Sequence, residues 1–167
     1  MSALPTEHDV EDGTLITAGG LARLEQELEG LRDVGRQALA ERFRTARNDG
    51  DVAENPALID LLERRIAVLE AQVANARVVA PSRDGVAGLG TSVRVRDSAT
   101  GEVAEYELVG AVEADVGNGR VSLAAPVGRA LFGRRKGDVV DVETPRGTIE
   151  LEVLAVRLER AAERKAA

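Results

Sequence analysis

Residues 48–57 read NDGDVAENPA and crowd three carboxylates, Asp49, Asp51 and Glu54, around Gly50 and Pro56. Carboxylates three positions apart on a helical turn face the same way. Asp51 and Glu54 have that spacing, and such a pair is a hard-oxygen ligand set suited to Mg²⁺. Two carboxylates do not make a dedicated site, because Mg²⁺ takes six oxygens and keeps several waters. The other ligands would have to come from a partner, so the pair makes sense as half of a site that another protein completes. The same spacing also has a purely structural reading. Asp51 followed by Glu54 matches a capping box, in which side-chain oxygens satisfy orphan N–H groups at a helix start. Asn55-Pro56 offers a competing start, with asparagine as cap and proline at the first helical position. Taken alone, the spacing favours capping.

Other chemistries are closed by composition. The 167 residues contain no cysteine, which removes disulfides, thiolate catalysis and cysteine-based zinc sites. The single histidine, His8, lies in a polar N-terminal stretch, so a Ser-His-Asp triad or a histidine metal site has nothing else to draw on. Lys and Arg number 22 against 29 Asp and Glu, a formal charge of -7, which argues against a broad nucleic-acid-binding surface but leaves room for a local basic stripe. Aromatic residues are confined to Phe43, Tyr106 and Phe132, too few for a base-stacking platform. No apolar run approaches the ~20 residues of a membrane span and the first residues lack a signal-peptide core. A cytoplasmic chain that engages no membrane is expected.

The elements around the acidic turn are legible from periodicity. Residues 1–15 are polar and aperiodic and are expected to form a tail. Leu21, Leu24, Leu28 and Leu31 then recur at intervals of three and four, the pattern of a helix seam, and the stripe resumes through Ala38, Leu39, Phe43 and Ala46. Thr17 stands where a helix would start, and Gly50 where it would stop. Ile59, Leu62, Ile66, Leu69, Val73 and Ala76 continue the three-four alternation in a second run. Two such runs joined by a short turn predict an antiparallel helical hairpin over residues 16–79, with its acidic tip at 49–54. Some 30 residues at ~1.5 Å each give an arm of roughly 45 Å.

Residues 80–90, APSRDGVAGLG, are expected as a linker. Beyond it the period becomes two. TSVRVRD, EVAEYELVG and GRVSLAAP read as strands, PVGRALFG as a short amphipathic helix, and GDVVDVETPRGTIELEVLAV as two strands around a turn at Thr144-Pro145-Arg146-Gly147. The fold class is therefore α+β, a long helical hairpin followed by a small, mostly antiparallel β domain at 91–158. Residues 159–167 are expected as a second tail.

The ordered combination of hairpin, GDVAEN tip, and SLAAPVGRALFGRRKGDVVDVETPRGTIELEVLAV resembles the Gre-type transcript cleavage factors (GreA/GreB) of bacterial RNA polymerase, from about Leu15 to Val156. The tip match is short; the apolar segment and the TPxG hairpin make the combination specific. The resemblance implies a coiled-coil arm and a C-terminal domain with an FK506-binding-protein-like fold. It implies RNA polymerase core enzyme as partner, with the arm inserted through the secondary channel and the C-terminal domain docked at its mouth. Asp51 and Glu54 would help hold a Mg²⁺ shared with the polymerase, and backtracked RNA would be cut by the polymerase; the free protein is expected to hold no Mg²⁺ tightly, because two exposed carboxylates do not offset its dehydration. The chain would thus be an accessory factor and a monomer, not itself an enzyme. Arg42, Arg44, Arg47, Arg64 and Arg65 are the implied contacts to the nascent RNA 3′ end, and Pro126, Leu131 and Gly133 the implied docking residues. Arginines interspersed with acids on an exposed helix have an ordinary reading as a solvated face. Prolyl isomerase activity is not expected, because isomerases of that fold line their pocket with aromatic rings and this domain offers only Tyr106 and Phe132.

Just past the tip the chain departs from the resemblance. The family continues GD-L-x-E-N-x-E-Y, whereas this chain has Pro56, Ala57 and Leu58, without the acidic and tyrosine side chains. Two functional expectations follow: a factor that stimulates cleavage of backtracked RNA, or a channel binder that modulates or inhibits transcription without promoting cleavage.

Overall fold

The computed structural model describes residues 15–48 and 56–158, without the side chains of 45–48 and 56. Strand β1 (Leu15–Ile16) leads directly into α1 (Ala18–Asn48), α2 (Pro56–Ala74) follows the acidic turn, and β2 (Arg77–Val78) closes the segment. The chain then forms β3 (Thr91–Asp97), β4 (Val103–Val109), β5 (Arg120–Ser122), α3 (Pro126–Leu131), β6 (Val139–Thr144) and β7 (Gly147–Leu158). This is the α+β class that the periodicities predict. The chain divides into two units, one of residues 21–75 and one of residues 1–20 with 76–167.

In the helical unit the seam positions are the least exposed. Leu24, Leu28 and Leu69 are buried. Leu21, Leu31, Gly35, Ala38, Ile59, Leu62, Ile66 and Val73 are half-buried, and the charged positions between them are exposed. Two exposed ion pairs join the helices: Arg65 Nη2 to Glu27 Oε1 and Arg32 Nη2 to Glu70 Oε1, both at 2.6 Å. Each contributes at most about 1 kcal/mol, so the seam leucines dominate. The stripe expected to run on through Leu39 and Phe43 does not stay covered: they are 47% and 67% exposed. The first seam residue of α2 is Ile59, which leaves the far end of α1 little apolar surface to pack against. Pro56 opens α2 as its first residue, where proline's missing donor costs nothing.

The sheet unit is a five-stranded mixed sheet of order β5-β4-β3-β7-β6, antiparallel except for the parallel pair β4–β5. The alternation is direct. Val93 and Val95 of β3, Val140 and Val142 of β6, and Leu151 and Val153 of β7 are buried, while Arg94, Arg96, Asp141 and Glu150 are exposed. Val95 pairs with Val153 and Arg94 with Ala155, so β7 carries an extra residue at Leu154 that bends it. Thr144 pairs with Gly147 across the two-residue turn Pro145-Arg146. Gly128 lets α3 lie against the end of β5, because a Cβ there would stand 2.0 Å from the Ser122 carbonyl oxygen.

Residues 86–90, expected as part of a linker, belong to this unit. Ala87 and Leu89 are buried in its core, and Ala87 exchanges backbone hydrogen bonds with the 133–134 segment, at 2.7 Å to the Arg134 carbonyl and 2.7 Å from the Gly133 N–H. Small residues there serve close packing against a neighbouring loop. Leu15 and Ile16 likewise depart from the expected boundaries: both are buried, and β1 pairs in parallel with β2. Residues 1–14 of the expected N-terminal tail, with His8, and the expected tail at 159–167 lie outside the described residues.

Candidate functional site

The acidic turn is bracketed by the end of α1 at Asn48 and the start of α2 at Pro56. Asp49, Asp51 and Glu54 lie outside the described residues. Among the described residues, no group of three or more His, Asp or Glu is placed to hold a metal ion. The donor chemistry of Asp51 and Glu54 fits part of a Mg²⁺ shell, two hard anionic oxygens that need water and further carboxylates to complete it.

The arginines expected on the RNA separate into different environments. Arg44 is exposed and pairs with Glu41 at 3.0 Å on the same helix. Arg42 is exposed, and Arg64 is exposed without an ion pair among the described residues. Arg65 is engaged across the seam with Glu27, which gives it a structural role in joining the helices. The side chain of Arg47 lies outside the described residues. A groove of about 880 Å³ runs between the helices, lined by Leu28, Gly35, Leu39, Ile59, Leu62 and Ile66 among others.

On the sheet unit, Pro126 and Gly133 are exposed, but Leu131, the last residue of α3, is fully buried. Leu131 therefore offers no surface to a partner, which corrects its place among the docking residues. Its apolar side chain belongs to the core that holds the segment in shape. Around Pro126 and Gly133 stand four exposed cations, Arg129, Arg134, Arg135 and Lys136. Gly133 has φ of 76°, a left-handed conformation that turns the chain out of α3.

The root of the hairpin holds a feature that periodicity does not reveal. Thr17 caps α1: its Oγ1 accepts from the Gly20 N–H at 2.9 Å. The same hydroxyl donates to Glu113 Oε1 at 2.6 Å, and Glu113 Oε2 accepts from the N–H groups of Thr17 at 2.9 Å and Gly110 at 3.2 Å. Glu113 is only 7% exposed and sits in a single 3₁₀ turn, Ala111–Glu113, between β4 and β5. In sequence it is one acid in GAVEAD, 96 residues from Thr17, with no local signal of burial.

Two long helices paired along an apolar seam in one unit, and a small mixed sheet in the other, define the class: a two-unit α+β protein. The family model described as the N-terminal domain of transcription elongation factors matches residues 14–78, and that for the GreA/GreB C-terminal domain matches residues 82–158. The chain belongs to the GreA/GreB family of transcription elongation factors. It is 40% identical over 151 residues to transcription elongation factor GreA of Thermoanaerobacter pseudethanolicus, covering 86% of this chain and 96% of that one. It is 37% identical over 153 residues to GreA of Methylococcus capsulatus, covering 86% and 97%. The crystal structure of the GreA factor homolog 1 protein of Thermus thermophilus aligns over 86% of this chain and 98% of that one at 30% identity, with a TM-score of 0.41, too low to bear on fold or function. Among the described residues no helix is long and apolar enough to cross a membrane.

Proposed function

We propose that this chain binds RNA polymerase core enzyme, inserts its helical hairpin into the secondary channel, and stimulates the polymerase's own cleavage of backtracked RNA. Family membership along both units, with Asp51 and Glu54 in the sequence between α1 and α2, is the observation that carries this reading. Asp51 and Glu54 would lend their carboxylates to a Mg²⁺ shared with polymerase carboxylates. When bound, such an ion activates water and stabilises the charge that develops on phosphate oxygens. The contribution of this chain is positional, two anionic groups brought to a centre it does not own, so it is an accessory factor and not an enzyme. Exposed Arg42, Arg44 and Arg64 are suited to steer the RNA 3′ end, and the surface around Pro126 and Gly133 to dock the sheet unit. We place the factor in the cytoplasm as a monomer.

The test is to incubate backtracked elongation complexes with the protein and Mg²⁺ and to follow RNA length. Shortened RNA is expected, and the double substitution Asp51→Ala and Glu54→Ala is expected to lower the rate about a hundredfold, the scale on which misplaced groups cost catalysis. An unchanged rate in the double variant overturns the metal role.

A second reading rests on the departure past the tip. α2 begins at Pro56, and Ala57 and Leu58 carry no acidic or hydroxyl group. A channel binder that slows elongation without cleavage would give competition with cleavage-competent factors and no shortened RNA in the same assay.

A further inference from the structure

Of the four asparagines, Asn48, Asn55, Asn75 and Asn118, only Asn118 precedes a glycine. It is exposed and ends a single 3₁₀ turn, Val116–Asn118, between β4 and β5. We propose that Asn118 is a site of spontaneous deamidation, held back by Asp115 while the turn is closed, and that its conversion unlocks β5. This modification is independent of the cleavage reading. Its only co-reactant is water. The Gly119 backbone nitrogen gives its proton to a solvent base and attacks Cγ of Asn118. The N–Cγ bond forms, the Cγ–Nδ2 bond breaks, and the amide nitrogen takes up a proton and leaves as ammonia. Water then opens the five-membered imide at either carbonyl, leaving aspartate or isoaspartate.

Glycine favours the attack because no Cβ shields its nitrogen, and the fold requires glycine there. Gly119 has φ of 73°, and a Cβ on it would stand 3.1 Å from the Glu105 carbonyl oxygen. In the closed turn both reacting groups are engaged. Asn118 Nδ2 donates to Asp115 Oδ2 at 2.6 Å, and the Gly119 N–H donates to the Val116 carbonyl at 3.1 Å. Asp115 is the clasp. Its Oδ2 also accepts from Arg120 Nη2 at 3.3 Å, and its backbone exchanges two hydrogen bonds with Arg120, both at 2.9 Å. The Asn118 amide foremost, then the Arg120 guanidinium, holds the Asp115 carboxyl below the ordinary aspartate value. The bond to Asn118 is therefore of the stronger, charge-assisted kind.

Deamidation replaces the donor facing Asp115 with a second carboxylate, and like charges so placed repel. Isoaspartate also adds a methylene to the main chain just before Arg120. At that point the Glu107 N–H donates to the Gly119 carbonyl at 2.9 Å, and β5 begins its parallel pairing with β4. The test incubates the full-length protein at neutral pH and physiological temperature beside a synthetic peptide of residues 112–124. Conversion is read as the mass gain from amide to acid in the fragment that holds Asn118. Isoaspartate is read by enzymatic methylation of its carboxyl. Asp115→Ala, Asp115→Asn and Asn118→Asp are compared with wild type, and backbone amide exchange is followed at Glu107 and Arg120.

The folded protein is expected to convert at least about tenfold more slowly than the peptide. Asp115→Ala is expected to convert about tenfold faster than wild type, and Asp115→Asn, which keeps a neutral acceptor, about threefold faster. Isoaspartate is expected among the products wherever conversion occurs. Should Asp115→Ala fail to fold, as judged by its thermal transition, Asp115→Asn decides. Exchange at Glu107 and Arg120 is expected to be faster in Asn118→Asp than in wild type. Wild type that converts as fast as the peptide, or folded Asp115 variants that convert at the wild-type rate, overturn the proposed protection. Conversion without isoaspartate overturns the imide route, and unchanged exchange in Asn118→Asp overturns the unlocking of β5.

Discussion

Asp97 shows how a single acid shapes this fold. Its Oδ1 accepts from the N–H groups of Ala99 at 2.7 Å and Thr100 at 2.9 Å, closing the loop between β3 and β4 that Gly101 completes at φ of 75°. The Thr100 and Ala99 backbone hydrogen bonds, in that order, hold its carboxyl below the ordinary aspartate value. A folded-state pKa that is depressed contributes stability above the unfolded value, lost as pH falls through the folded one. The stability difference between wild type and Asp97→Asn is therefore expected to be constant between about pH 5 and 7 and to shrink below about pH 4. Urea denaturation across that range measures it, and a difference that grows toward low pH would refute the assignment. Asp97 and Glu113 were equally mute in the sequence. Each acts through backbone N–H groups, and for Glu113 one lies 96 positions away, so no spacing could announce it. Asp51 and Glu54 were legible as chemistry because three acids gathered at a turn stand out without knowledge of any partner.

At the scale of elements, period decided what could be read. The three-four alternation selected Leu24, Leu28 and Leu69, all buried, and the two-residue period marked the strand segments in which Val93, Val95, Val140, Val142 and Val153 are buried. What failed was composition. Gly-, Ser- and Pro-rich residues suggested a linker at 80–90, yet Ala87 and Leu89 are core, because small residues serve tight packing as readily as flexibility. Leu131, a docking residue by resemblance alone, is buried, and a six-residue helix has too few turns for its inner face to be told from its outer one in the sequence. The seam reading carries a quantitative consequence. Leu69 is wholly buried and Leu61 is 64% exposed on the same helix. Leu69→Ala is expected to destabilise by about 2–5 kcal/mol and Leu61→Ala by less than about 0.5 kcal/mol. Equal losses in thermal or urea denaturation would mean that the seam does not hold the hairpin.

For the molecule as a whole, two family models match in succession, one over residues 14–78 and the other over 82–158. On the proposed reading the two tasks are separable: binding draws on surface spread along the chain, whereas cleavage draws on the two carboxylates Asp51 and Glu54. Their removal then produces a competitor and not merely an inert protein. If the Asp51→Ala, Glu54→Ala variant keeps wild-type affinity, a tenfold excess over wild type leaves wild type on about one complex in eleven, by simple mass action. The cleavage rate under limiting polymerase is expected to fall to about a tenth and to recover as wild type is raised, with the variant alone about a hundredfold slower than wild type. Cleavage undiminished by excess variant would show instead that the tip carboxylates supply much of the binding energy. That outcome would place recognition and chemistry in the same few residues and leave the sheet unit without its proposed docking role.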